Sequence, residues 1–124
     1  MEGTYRDLLV WQKSMALVER LYSVSERFPR SEAFGLTSQM RRAGVSIPSS
    51  IAEGKALGGR NYPKHIKIAL GSEAELQTQL ELARRLTILS EGDARDLILR
   101  TSEVGRMLVG LLRTLSTPDD PMTR

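Results

Sequence analysis

Residues 39–54 read QMRRAGVSIPSSIAEG, a stretch that decides the fold and resists an easy reading. Met40, Ala43, Ile47 and Ile51, with Leu36 before them, repeat at the three-four spacing of a helix that buries one stripe. Within that stripe's helix stand Gly44, Pro48 and three serines, all poor helix-interior residues. The spacing nevertheless predicts a helix from about Ser31 to Lys55, bent near Gly44 to Pro48, and ended by LGGRNYP. At 100° per residue Arg42, Ser46, Ser50 and Glu53 form a polar strip beside the stripe, and Val45, Pro48 and Ala52 lie on the far side, so apolar character falls on two faces.

Working outward, three more amphipathic helices and no convincing strand are predicted. In the first, Asp7 caps a helix whose core positions are Trp11, Met15, Val18 and Tyr22, flanked by Leu17, Leu21, Val24 and Phe28, until Pro29 stops it. The third begins near Asn61, tolerates Pro63 in its first turn and runs to about Ser90. Its apolar arc of Ile68, Ala69, Leu76, Leu80, Leu82, Ala83 and Leu86 is interrupted by Ser72, Glu75 and Gln79. Glu75 is therefore expected to be partly buried. With Arg42, Ser46, Ser50, Glu53 and Ser72 it makes a candidate polar network between the second and third helices. The fourth follows EGD, with Gly92 ending one helix and Asp93 capping the next, and repeats Leu97, Thr101, Val104, Leu108, Leu111 and Leu115.

Four amphipathic helices with short connections specify an all-α, antiparallel up-down-up-down bundle over residues 1–115, followed by a polar tail, residues 116–124, expected to be disordered. A chain of 124 residues suits one core. It has no cysteine, which excludes disulfides, thiolate metal sites and thiol nucleophiles and fits a reducing compartment. The start of the chain has no export signal and no apolar run is long enough to span a bilayer, so a cytoplasmic protein with no membrane partner is expected.

No catalytic constellation is legible. The only histidine is His65, and the residue three before it is Tyr62, so the Glu-x-x-His pairs of a di-iron bundle are missing. Beside Lys64 and Lys67, His65 reads as an exposed surface residue rather than a base. Glu53, Glu73 and Glu75 are better explained by salt bridges and hydrogen bonds than as ligands of a hard cation. Neither a metal nor a cofactor is expected, and the protein reads as a non-enzyme. A groove for a small molecule on the bent second helix is a lesser alternative to subunit packing.

Charge supplies the functional clue. The formal net charge is only +3, but residues 41–70 hold six cations against Glu53 alone. Arg41, Lys55, Arg60, Lys64 and Lys67, joined by Arg84 and Arg85 on the third helix, are candidates for phosphate contacts that do not read base sequence. A dedicated stacking platform of aromatics is missing, so binding to RNA or DNA would be led by the backbone. The alternative is a protein-interaction scaffold whose charge serves solubility.

Three segments, LLVWQKSMALVERLY, FPRSEAFGLTSQMRRAGVSIPSSIAEG and IALGSEAELQTQLELARRL, carry a resemblance that covers the chain from Tyr5 to about Leu115. They resemble the four-helix-bundle proteins encoded in intervening sequences of bacterial 23S ribosomal RNA, and through them the accessory variability determinants of diversity-generating retroelements. The resemblance implies a homopentameric ring of four-helix protomers and, in the retroelement branch, a basic surface that meets nucleic acid and a reverse transcriptase. Ser50 departs from the family's pattern, in which asparagine is usual, so the polar network is expected to be rearranged here.

Overall fold

A computed structural model describes residues 3–115, and the expected tail at 116–124 lies outside them. Four helices make up the fold: α1, Leu9–Ser25; α2, Leu36–Leu57; α3, Asn61–Arg85; and α4, Glu91–Leu115. Short 3-10 turns at Tyr5–Asp7 and Arg30–Glu32 precede α1 and α2, and no strand occurs among the described residues. Each helix packs on its neighbours in sequence and α4 returns to α1, which is the closed square of a four-helix bundle. All neighbours are antiparallel. Ser46 of α2 meets Ser72 of α3 while Glu53 meets His65, and Lys13 of α1 meets Glu103 of α4 while Arg20 meets Asp96.

The core follows from the predicted stripes of α2 and α4. Leu36, Met40, Ala43, Ile47 and Ile51 are all buried, as are Leu97, Thr101, Val104 and Leu108. Each large apolar side chain so enclosed contributes about 1.5–3 kcal/mol. Thr101 is tolerated there because its hydroxyl donates to the Leu97 carbonyl at 2.6 Å.

In α1 the buried face is turned relative to expectation. Val10, Ser14, Leu17, Leu21, Val24 and Phe28 face the core, whereas Met15 and Tyr22 are exposed and Trp11 and Val18 only half-buried. Both series have helical spacing, and the misleading member is Ser14. Its hydroxyl donates to the Trp11 carbonyl at 2.8 Å, which removes its need for water and lets a polar residue lie inside. Nor does Asp7 cap α1. It closes a capping box with Thr4 on the preceding 3-10 turn.

Helix α2 continues unbroken through Pro48, and Pro48 is buried rather than on a free outer face. The small Gly44 one turn earlier lets α1 come close, since a Cβ at that position would lie 2.8 Å from Leu21 Cδ2. Gly58 and Gly59, at φ 68° and 55°, then reverse the chain into α3.

The α3–α4 connection differs most from its sequence reading. Helix α3 ends at Arg85, and the left-handed position is taken by Thr87 at φ 59° rather than by Gly92. The Ile88 N–H donates to Ala83 O at 3.0 Å and the Thr87 N–H to Arg84 O at 3.0 Å, the paired bonds of a Schellman ending. Gly92 lies inside the first turn of α4. Ser90 precedes that turn, and its hydroxyl accepts from the Asp93 N–H at 3.2 Å.

Among the described residues no helix is long and apolar enough to cross a membrane.

Candidate functional site

The glycine turn sets the last turn of α2 and the first two turns of α3 at one corner of the bundle. Lys55, Arg60, Lys64 and Lys67 are all there. The last three are exposed, and Lys55 is half-buried with its ammonium 5.8 Å from the centre of the Tyr62 ring. Burial pushes the Tyr62 phenol above its ordinary pKa, so the ring meets that cation as a neutral hydroxyl. None of the four cations has an ion-pair partner among the described residues. The one carboxylate of the segment, Glu53, pairs with none of them and has Oε2 3.2 Å from Nε2 of His65.

His65 is not the exposed residue expected. Its side chain retains 14% of its exposure, and Nδ1 donates to the Asn61 carbonyl at 2.8 Å. Close packing places it there, because buried Gly54 leaves room for the His65 Cβ and the Tyr62 backbone. The histidine ties α3 back to α2 and is not presented to solvent as a base.

The remaining predicted phosphate contacts lie apart from this corner. Arg84 and Arg85 are twenty residues further along α3 than Lys64, about 30 Å at the rise of a helix. Arg84 meets Glu81 Oε2 at 2.9 Å and Glu91 Oε1 at 3.3 Å, and Arg85 meets Glu81 at 3.6 Å. The hydrogen bond from Arg84 holds the Glu81 carboxyl below the usual carboxylate range, and the Glu81 contact in turn raises Arg84, so both stay charged and largely cancel. Arg41 occupies a third place, between α1 and α2. Its Nε donates to Ser25 Oγ at 2.8 Å, Nη2 to the Tyr22 carbonyl at 3.3 Å, and its guanidinium stacks 4.3 Å over the Tyr22 ring.

Two cations missed in the sequence stand nearer the corner. Arg106 and Arg113, one heptad apart on α4, line an open groove of about 570 Å3 whose other wall includes Leu70, Glu73 and Gln77 from the middle of α3. Their seven-residue spacing was the available signal. Glu73 moderates the charge of that groove, its carboxylate lying over Gly105 where a Cβ would fall 2.8 Å from Cδ.

The predicted polar network is only partly assembled. Ser72 donates to Ser46 at 2.8 Å, and Arg42 and Glu75 line the same groove, with no hydrogen bond or ion pair between them. Glu75 is exposed rather than buried. The α3 residue that enters the interior is Gln79, whose Oε1 has no partner, while Glu75 stands at the rim where water solvates it. Ser50 is buried, and Glu53 is drawn off to His65.

No group of three or more His, Asp and Glu side chains suited to a metal occurs among the described residues. The corner presents a cluster of positive charge on a helical hairpin.

In fold, the chain is similar to a crystallised protein of unknown function from the S23 ribosomal protein family of Bacteroides thetaiotaomicron. The TM-score is 0.79 at 21% identity, with 85% of this chain and 96% of that chain covered. Among curated proteins no relative is found. The model of the 23S rRNA-intervening sequence protein family matches residues 6–110, through all four helices, and the chain therefore belongs to that family.

Proposed function

We propose that the protein is a non-enzymatic, self-associating nucleic-acid-binding accessory protein of the bacterial cytoplasm. The observation that carries this reading is the α2–α3 corner, where Lys55, Arg60, Lys64 and Lys67 stand together without a partner carboxylate, in contrast to the compensated Arg84 and Arg85. Such a surface meets phosphates of RNA or DNA without base readout and loses affinity steeply with salt. The polyanion is structured RNA or an RNA–DNA hybrid. A reverse transcriptase or a ribosomal RNA insertion supplies its setting, in keeping with the retroelement and intervening-sequence proteins that the chain resembles.

Self-association rests on a second surface. Met15, Tyr22 and Val45 are 38%, 39% and 40% exposed on the outer side of α1 and α2, beside a groove of about 350 Å3 floored by Trp11, Val18 and Pro48. Contact with further copies would cover this surface, and the family resemblance sets the number at five. A ring repeats the basic corner and turns weak contacts into multivalent binding. Light scattering after size exclusion tests the assembly, and a monomer at micromolar concentration refutes it.

The binding test is a gel shift with structured RNA and with an RNA–DNA hybrid at low salt. The combined change of Arg60, Lys64 and Lys67 to glutamate abolishes the shift and leaves the oligomer intact. An unchanged shift, or none with the unaltered protein, favours the scaffold reading, for which the exposed Met15, Tyr22 and Val45 are the specific support.

A further inference from the structure

The α3–α4 groove that carries Arg106 and Arg113 also carries a carboxylate with nothing to bind. Glu73 lines it and has no hydrogen-bond or ion-pair partner among the described residues. The enclosed polar side-chain atoms that lack a partner are Thr37 Oγ1 and Gln79 Oε1, so both Glu73 oxygens are open to the groove. The carboxylate is nevertheless seated. It lies against Gly105, where a Cβ would be 2.8 Å from Oε1 and 3.1 Å from Oε2, and the three atoms nearest that Cβ all belong to Glu73. A glycine inside a helix is destabilising relative to alanine, and here the space it leaves is filled by the acid. Beside it Gln77 Nε2 donates to Ser102 Oγ at 2.6 Å. That bond holds both side chains at the groove wall, and leaves the Gln77 carbonyl able to accept and the Ser102 hydroxyl able to donate.

Two guanidinium groups and one seated carboxylate, in a groove without an aromatic side chain, are an odd set for phosphate alone. A phosphate is drawn to the cations and repelled by the acid. A sugar hydroxyl is what the acid can hold, by accepting its hydrogen, as carboxylates do for ribose in dinucleotide sites. An RNA backbone carries both groups in alternation, and DNA lacks the hydroxyl. Arg106 and Arg113 stand seven residues apart, about 10 Å along α4, which is the length of about three nucleotides of one strand. The meetings of Gln77 with Ser102 and of Glu73 with Gly105 set the antiparallel register, which brings Lys67 within about a turn of Arg113 along the bundle. The groove thus continues the basic corner, from Lys67 past Arg113 to Arg106 and Glu73.

We infer that this groove takes the backbone of an RNA strand and selects ribose over deoxyribose, with Arg106 and Arg113 on phosphates and Glu73 accepting from a 2′-hydroxyl. The inference rests on the nucleic-acid reading of the corner and adds a preference that the corner's cations cannot supply. With no aromatic in the groove to stack on, the bases stay paired and turned away, so the ligand is the RNA strand of a duplex or of a hybrid. A DNA strand leaves the carboxylate facing phosphates with no hydrogen to accept.

Fluorescence anisotropy of the 124-residue protein with labelled duplexes of one sequence and length is the test. The duplexes are RNA–RNA, RNA–DNA, DNA–DNA and RNA carrying 2′-fluoro groups, which keep the A form and lose the hydroxyl. The first two should bind about tenfold more tightly than the DNA duplex, the worth of a hydrogen bond to a charged group, and 2′-fluoro RNA should fall to the DNA level. Glu73→Ala, which removes no polar contact within the described residues, brings the ratio close to one. Gly105→Ala does the same by displacing the carboxylate while leaving every charge in place. Arg106→Ala and Arg113→Ala weaken RNA and DNA alike. Equal binding of RNA and DNA duplexes, with charge reversal at Arg60, Lys64 and Lys67 still abolishing both, overturns this inference and leaves the corner standing. So does 2′-fluoro RNA that binds as tightly as RNA, or a preference that survives both Glu73→Ala and Gly105→Ala. Binding of no duplex at all refutes the corner reading and this inference together.

Discussion

Gly54 and His65 approach so closely that a Cβ added to the glycine would lie 2.9 Å from the histidine Cβ and 3.2 Å from the Tyr62 carbonyl. The α2–α3 hairpin, and with it the basic corner, is built on that contact.

Gly54→Ala should therefore destabilise the protein by about 1–2 kcal/mol, since overpacking of this kind exceeds the gain in helix propensity. Gly71→Ala is the matched control. Nothing lies within 4 Å of a Cβ there, so the same change should stabilise by about 0.5–1 kcal/mol. Urea melts of the two variants check both signs, and equal effects would show that the hairpin is looser than described.

Thr87 holds a left-handed conformation that a β-branched residue adopts at a cost. Thr87→Gly should raise stability by about 0.5–1 kcal/mol, part of the relieved strain being offset by the greater freedom of glycine in the unfolded chain. A lower thermal midpoint in calorimetry would mean that the Thr87 hydroxyl, which donates to the Leu86 carbonyl at 2.6 Å, matters more than its backbone.

Arg42 is exposed and without an ion-pair partner among the described residues, so Arg42→Ala should change stability by no more than about 0.5 kcal/mol. The sequence reading, with Glu75 buried against Arg42, demands a loss on the order of 3 kcal/mol. Denaturant melts separate the two values easily.

Asp96 supplies a pH dependence. The hydrogen bond from Arg20, then that from Arg100, holds its carboxyl below the ordinary value of 3.8, with Oδ2 2.9 Å from Arg20 Nε and Oδ1 2.9 Å from Arg100 Nε. Its pKa is lower folded than unfolded, so the associated stability is present above 3.8 and is lost as the pH falls through the folded value. Arg20→Gln should weaken the α1–α4 contact at neutral pH and flatten the acid limb of stability below 3.8. The same acid slope in the variant would mean that Arg100 alone sets the shift.

Much of the bundle was legible because α2 and α4 keep apolar stripes in which Thr101, bonded to the Leu97 carbonyl, is the one polar member. Helix α1 misled because Ser14 and Ser25 are satisfied by their own backbone, at Trp11 and Tyr22, and so enter the interior without an apolar signature. Helix α3 misled for the opposite reason. Ile68, Leu82 and Leu86 lengthen its apolar arc, yet all three are exposed, and Glu75 leaves with them. At the basic corner the four linked cations could be grouped from sequence because one turn holds them. Arg84 and Arg85 lie apart from them, met by Glu81 three and four residues earlier on the same helix, a spacing the sequence does show, and by Glu91 across the loop, which it does not.

Charge is also distributed unequally between the two ends of the bundle. Where α3 meets α4, and where α1 ends beside them, Arg20, Arg27, Arg84 and Arg85 are met by Asp93, Asp96, Glu81 and Glu91. At the α2–α3 turn Lys55, Arg60, Lys64 and Lys67 stand against Glu53 alone. On the proposed function, this asymmetry among the described residues would let a polyanion orient the protein as well as attract it. The Gly58–Gly59 turn would then lead the encounter, and added salt would slow association as well as weaken the complex.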